Sequence, residues 1–94
     1  MSTAPLSMRL DKWLWVARFF KTRTLAVEAV VRGRVEVNDQ PAKAARELRV
    51  GDRLRVRQGT GQGAEVRIVE VRAFAATRGP AVVAQALFAE TAES

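Results

Sequence analysis

The chain has no cysteine and no histidine. The first absence removes disulfides and thiolate chemistry, the second removes the usual general base, and together they remove the commonest zinc ligands. A reducing compartment suits such a chain. Long apolar runs are missing too: no stretch approaches the roughly 18 residues that cross a bilayer. Met1 to Ser7 shows no basic region followed by an apolar core, so residues 1–8 read as a disordered leader and not as a secretory signal. These absences lead to the expectation of a soluble cytoplasmic protein with no membrane partner, metal or cofactor. Acidic residues are scarce, 10 against 16 Lys and Arg, for a net charge of +6 over 94 residues. The carboxylates Asp11, Glu28, Asp39 and Asp52 fall into no pattern that marks a paired acid and base, so a free-standing enzyme is not expected.

What the chain has is arginine, and it is unevenly placed. Residues 1–58 carry 13 Lys and Arg against 6 Asp and Glu, whereas residues 59–94 carry 3 against 4. The basic character therefore belongs to one part of the surface, which points to a binding function toward nucleic acid, an anionic membrane or an acidic protein. Thirteen of the cations are Arg, whose planar fork suits two-pronged contacts to phosphate.

Leu10, Trp13, Leu14 and Ala17 recur at helical spacing and predict a first helix with that stripe inward. The same rotation turns Arg9, Asp11, Lys12, Trp15, Val16 and Arg18 away from the stripe. Asp11 there is a partner for a neighbouring Arg or Lys. Trp15, or Phe19 if the helix continues, either offers a flat surface to a base or packs on the later strands; the residues leave both open. Thr22 is placed as the N-cap of a second helix, Arg23 to Arg32, with Leu25, Ala26, Ala29 and Val30 inward and Gly33 ending it. Its N-terminus, beside Lys21 and Arg23, is a candidate phosphate site.

Strands follow. Val35 to Val37 alternates, Asn38 to Pro41 and Val50 to Asp52 carry turn chemistry, and Arg53 to Arg57 alternates with Leu54 and Val56 inward and three Arg outward. Gly59-Thr-Gly-Gln-Gly63 joins this strand to Glu65–Val71 as a hairpin. It lacks the Gly-Lys-Ser/Thr ending of a phosphate loop. After Gly79-Pro80, residues Ala81 to Glu90 read as a C-terminal helix. The expected fold class is α+β, an αα-hairpin on a small, mainly antiparallel sheet. One domain spans residues 9–73, and a linker with the helix spans residues 74–94.

Arg9-Leu-Asp-Lys-Trp-Leu14, Ala17-Arg-Phe-Phe-Lys-Thr-Arg23, Gly33-Arg-Val-Glu-Val-Asn38, Lys43 and Val50-Gly-Asp-Arg-Leu54 occur in that order. The series resembles the RNA-binding domain named for ribosomal protein S4. Trp13-Leu-Trp15, Arg57-Gln-Gly59 and Glu90-Thr-Ala-Glu-Ser94 look more narrowly like the heat shock protein 15 family. The resemblance implies the S4-type (alpha-L) fold and binding to ribosomal RNA of the large ribosomal subunit. It also implies a part in returning to use dissociated large subunits that carry a nascent chain on tRNA. Carried over position by position, it marks Arg9, Lys12, Arg18, Lys21, Thr22, Arg23, Arg34, Asn38 and Lys43 as RNA-facing, with Arg32 beside them. Family members usually continue into a strongly basic C-terminal extension, and this sequence stops at Ser94, so contacts made by such an extension are not expected of it. Two alternatives remain: a small S4-type quality-control factor that holds tRNA on stalled large subunits, and a targeting module of an RNA-modifying enzyme. A monomer is expected.

Overall fold

The computed structural model describes residues 6–59 and 65–91. The first helix, α1 (Leu10–Val16), is entered from a two-residue strand β1 (Met8–Arg9) and packs against α2 (Arg23–Val31). Both helices end in the same way. Arg18 lies in the left-handed region at φ 66° while the Arg18 and Phe19 amides donate to the carbonyls of Trp15 and Leu14. Gly33 does so at φ 75°, with the Gly33 and Arg34 amides donating to Val30 and Ala29. This is the Schellman arrangement, which satisfies the last carbonyls of a helix and turns the chain sharply. Glycine enters it without strain; Arg18 carries a cost of roughly 1–2 kcal/mol and is tied down by a hydrogen bond from its Nη1 to the Gly79 carbonyl, 3.0 Å.

The strands are β2 (Val35–Val37), β3 (Gln40–Pro41), β4 (Glu47–Leu48), β5 (Arg53–Gln58), β6 (Glu65–Val71) and β7 (Phe88–Glu90). Five of them form an antiparallel sheet in the order β3-β2-β5-β6-β7, and β1 pairs with β4. Asn38 and Asp39 both have positive φ, the two-residue primed turn that matches strand twist between β2 and β3. Period-2 alternation buries Leu54 and Val56 and exposes Arg53, Arg55 and Arg57. The register sets Arg55 opposite Glu36 and Arg53 opposite Glu70, so the outer sheet face alternates in charge across the strands.

The core lies between the hairpin and the sheet and centres on Trp13, which is fully buried and donates from Nε1 to the Ala73 carbonyl at 3.1 Å. Phe19 stacks on it at 5.7 Å and Phe88 meets it edge-on at 6.2 Å. The Arg67 guanidinium covers Phe19 at 4.7 Å and donates from Nε to Glu90, 2.9 Å.

Several expectations are corrected. The segment expected to be one helix over residues 81–90 is a single turn, α3 (Ala81–Ala84), followed by a 3-10 turn (Gln85–Leu87) and then by β7, which pairs with β6. Sheet pairing with β6 and the packing of half-buried Phe88 against the core override a helical composition. Val16, expected to turn away from the inward stripe, is buried in the core. Leu25, expected inward, is 43% exposed. Within the expected leader, Met8 is in β1 and in the core, and Ser7 Oγ donates to Glu47 at 2.8 Å. The rest of the leader, residues 1–5, lies outside the described residues, as do residues 60–64 of the glycine-rich loop and 92–94 of the C-terminal motif.

Candidate nucleic-acid interface

Asp11 organises the basic face. Its side chain is only 2% exposed. Arg9, held extended in β1, donates from Nε to Oδ1 at 3.1 Å and from Nη2 to Oδ2 at 2.9 Å. Arg23, at the first position of α2, reaches Oδ1 from Nη2 at 3.4 Å, and the Lys12 amide donates to the same oxygen at 2.7 Å. Burial alone would raise the Asp11 pKa, but the Arg9 hydrogen bond, the charge of Arg23, the Lys12 amide and the charge of Arg9 outweigh it and hold the carboxyl below its ordinary value. One anion thus fixes two guanidinium groups that stay about half exposed, 50% for Arg9 and 43% for Arg23. Lys43 is on the adjoining loop, because the Leu10 and Asp11 amides donate to the Arg46 and Ala44 carbonyls, 2.8 and 3.1 Å. Arg9, Lys12, Arg23, Lys43 and Arg46 therefore surround the start of α1.

The N-terminus of α2 adjoins this group. Thr22 Oγ1 accepts from the Leu25 amide at 3.0 Å, as its N-cap position requires. The earlier amides, of Arg23 and Thr24, lie outside the intrahelical ladder.

A second group lies on the other side of α2. Lys21 and Arg32 are exposed there, and Arg34 donates from Nη1 to the Gly59 carbonyl at 2.6 Å. Arg57 joins them, a residue that the sequence reading placed on an outward strand face without assigning it to the site.

The remaining two residues of the expected set are occupied within the fold. Arg18 clasps Gly79. Asn38 Nδ2 donates to Asp52 Oδ1 at 3.1 Å while its Oδ1 accepts from the Arg53 amide at 3.0 Å, so it fixes the β2–β3 turn. Trp15 is half-buried against the core and its carbonyl accepts from Arg78 Nε at 3.1 Å. Among the described residues no three carboxylates gather in a way that could hold a metal, and no helix is long and apolar enough to cross a membrane.

The family model described as the S4 domain matches residues 8–54. Heat shock protein 15 of Escherichia coli (strain K12) is 44% identical over 89 residues, 95% of this chain, and this chain spans 64% of that protein's length. The RQC P-site tRNA stabilizing factor of Bacillus subtilis (strain 168) is 50% identical, but over 52 residues, 55% of this chain and 60% of that protein. Among solved structures, the trimeric structure of Vibrio cholerae heat shock protein 15 superposes with a TM-score of 0.83 at 40% identity, covering 92% of this chain and 83% of that one.

Proposed function

The chain belongs to the S4 domain family and, within it, to the heat shock protein 15 family, and from that premise we propose that it binds ribosomal RNA on the large subunit. The site is the start of the αα-hairpin. There the Asp11-anchored pair Arg9 and Arg23, with Lys12 and Lys43, holds phosphates in fixed positions. This cluster is the observation that carries the reading. Two half-exposed guanidiniums held by one buried carboxylate are oriented before the ligand arrives, so less side-chain freedom is lost on binding. Recognition of this kind fixes backbone and shape and needs no covalent step, so the protein acts by binding and not as an enzyme. The larger role is the return of dissociated large subunits that carry nascent chain on tRNA, in the cytoplasm where those subunits are.

The likeness to heat shock protein 15 runs through the third helix and last strand, whereas that to the quality-control factor is confined to about half the chain. That extent favours subunit recycling over tRNA stabilisation. The acting unit is taken as a monomer, although the Vibrio cholerae relative is described as trimeric; light scattering of the free protein and of its subunit complex decides this. Filter binding to purified large subunits across a salt series tests the main reading. A surface that neutralises about four phosphates loses roughly a hundredfold in affinity between 50 and 200 mM salt. Affinity that stays flat with salt contradicts the proposal.

A further inference from the structure

Beside α2, on the far side from Asp11, a cleft of about 380 Å³ runs between the helix and the end of β5. Its apolar lining comes from Phe20, Leu25 and Ala29, and its rim carries Lys21, Arg32 and Arg57. Phe19, next in sequence, is buried against Trp13, so Phe20 is the aromatic that remains half-buried and lines the opening. The walls are tied in place. Gln58 Nε2 donates to the Phe19 carbonyl at 2.6 Å, joining the strand end to the interhelical loop, and Arg34 bonds Gly59 across β2 and β5. Leu25 makes sense here: its exposure, unfavourable for a core residue, gives the cleft an apolar floor beside four cations.

We infer that this cleft is a second RNA subsite that takes one unstacked nucleotide, its base against Phe20 and Leu25 and its phosphate among Lys21, Arg32 and Arg57. Its volume falls in the small-molecule range, the scale of a single nucleotide and not of a duplex groove. Charge complementarity selects the occupant. Four cations (Lys21, Arg32, Arg34 and Arg57) face one carboxylate, Glu28, so the site favours an anion with an apolar flat face over an uncharged apolar ligand. Glu28 accepts a hydrogen bond from a base N–H and repels a second phosphate. A splayed single-stranded base offers what this combination needs; a paired base does not. The inference rests on the proposed RNA-binding function and adds to it a requirement for unpaired RNA next to the structured element held at Asp11.

The test is an amide-resolved NMR titration of the full chain with a short single-stranded RNA, with an RNA hairpin lacking unpaired bases outside a minimal loop, and with a polyglutamate peptide. The single strand is expected to shift the amides of Phe20, Leu25, Ala29 and Arg57 saturably. Phe20→Leu, which keeps an apolar side chain against the core, is expected to weaken that binding about tenfold, the scale of one lost base stack, and Leu25→Gln, a charge-neutral change on an exposed helix position, to weaken it severalfold by removing the apolar floor. Affinity for the hairpin RNA, carried by Arg9 and Arg23, should change less than twofold in both variants. Should Phe20→Leu fail to fold, Leu25→Gln decides alone. Wild-type affinity of the variants for the single strand overturns the subsite and leaves the RNA-binding function standing. Polyglutamate filling the cleft more tightly than RNA overturns it in favour of an acidic peptide. Failure of both RNAs to bind overturns the subsite together with the function on which it rests.

Discussion

Replacing Asp11 with Asn separates two accounts of the basic face that agree on almost everything else. The change removes a buried negative charge and raises the net charge of +6 by one. If the face works as a diffuse crowd of cations, RNA binds more tightly. If Asp11 is the anchor that aims Arg9 and Arg23, RNA binds more weakly. The stability cost follows from the contacts. Asp11 accepts two hydrogen bonds from Arg9, one long one from Arg23 and one from the Lys12 amide. A hydrogen bond to a charged group contributes about 1.5–3 kcal/mol when shielded. Both arginines are about half exposed, which reduces each pair to about 1 kcal/mol or less. Asn can still accept from the Lys12 amide, so the loss totals about 2 kcal/mol. In a domain of this size that lowers Tm by about 8–16 °C. The folded-state pKa of Asp11 is depressed, so its stabilisation is complete above the ordinary value of 3.8 and is lost only as pH falls through the folded pKa below that. The gap in Tm between wild type and variant should therefore persist through neutral pH and close in strong acid. The assay is thermal unfolding across pH, with RNA affinity at one fixed salt concentration. A five- to tenfold loss of affinity is expected, and tighter or unchanged binding by the folded variant refutes the anchoring role.

Two further outcomes come from contacts elsewhere. Thr22→Ala removes the cap on the Leu25 amide and is expected to cost about 1 kcal/mol, a fall of about 4–8 °C in Tm readable by circular dichroism. Asn38→Ala loses both side-chain bonds of the β2–β3 turn and places Ala at φ 53°. About 2 kcal/mol of stability should go, with less than a twofold change in RNA affinity, because the side chain is occupied within the protein. A large affinity loss in a stably folded Asn38→Ala protein would show that Asn38 contacts RNA as well.

Much of the fold was legible because its signals are local. The inward stripe of α1, the Thr22 cap, Gly33 at a left-handed position and the alternation of β5 are each decided by neighbours within a few residues. What was illegible depends on distant partners. Ala81 to Glu90 has helical composition, but Phe88 packs on Trp13 and Phe19 and its strand completes the sheet beside β6. Leu25 fits the inward stripe of α2, yet it is exposed and lines the cleft beside the end of β5. The cations divide in the same way. Arg9, Lys12 and Arg23 come together because β1, α1 and α2 meet at Asp11, and Asp11 was legible as a local charge partner though not as a shared one. Arg57 escaped assignment because only the closure of β5 against α2 sets it beside Lys21 and Arg32. Position in a motif likewise did not disclose the hydrogen bonds that tie Arg18 to Gly79 and Asn38 to Asp52.

A charge-matched comparison separates RNA held by a directed surface from RNA held by net charge. Large-subunit affinity would be measured over a salt series for Arg9→Gln/Arg23→Gln and for Arg53→Gln/Arg55→Gln, which removes two cations from the outer sheet face opposite Glu70 and Glu36. The hairpin pair is expected to lose at least tenfold in affinity and to flatten the salt slope by about 2, with the sheet pair within about twofold of wild type. Equal losses from the two pairs would mean that net charge, and not the Asp11-anchored face, holds the RNA.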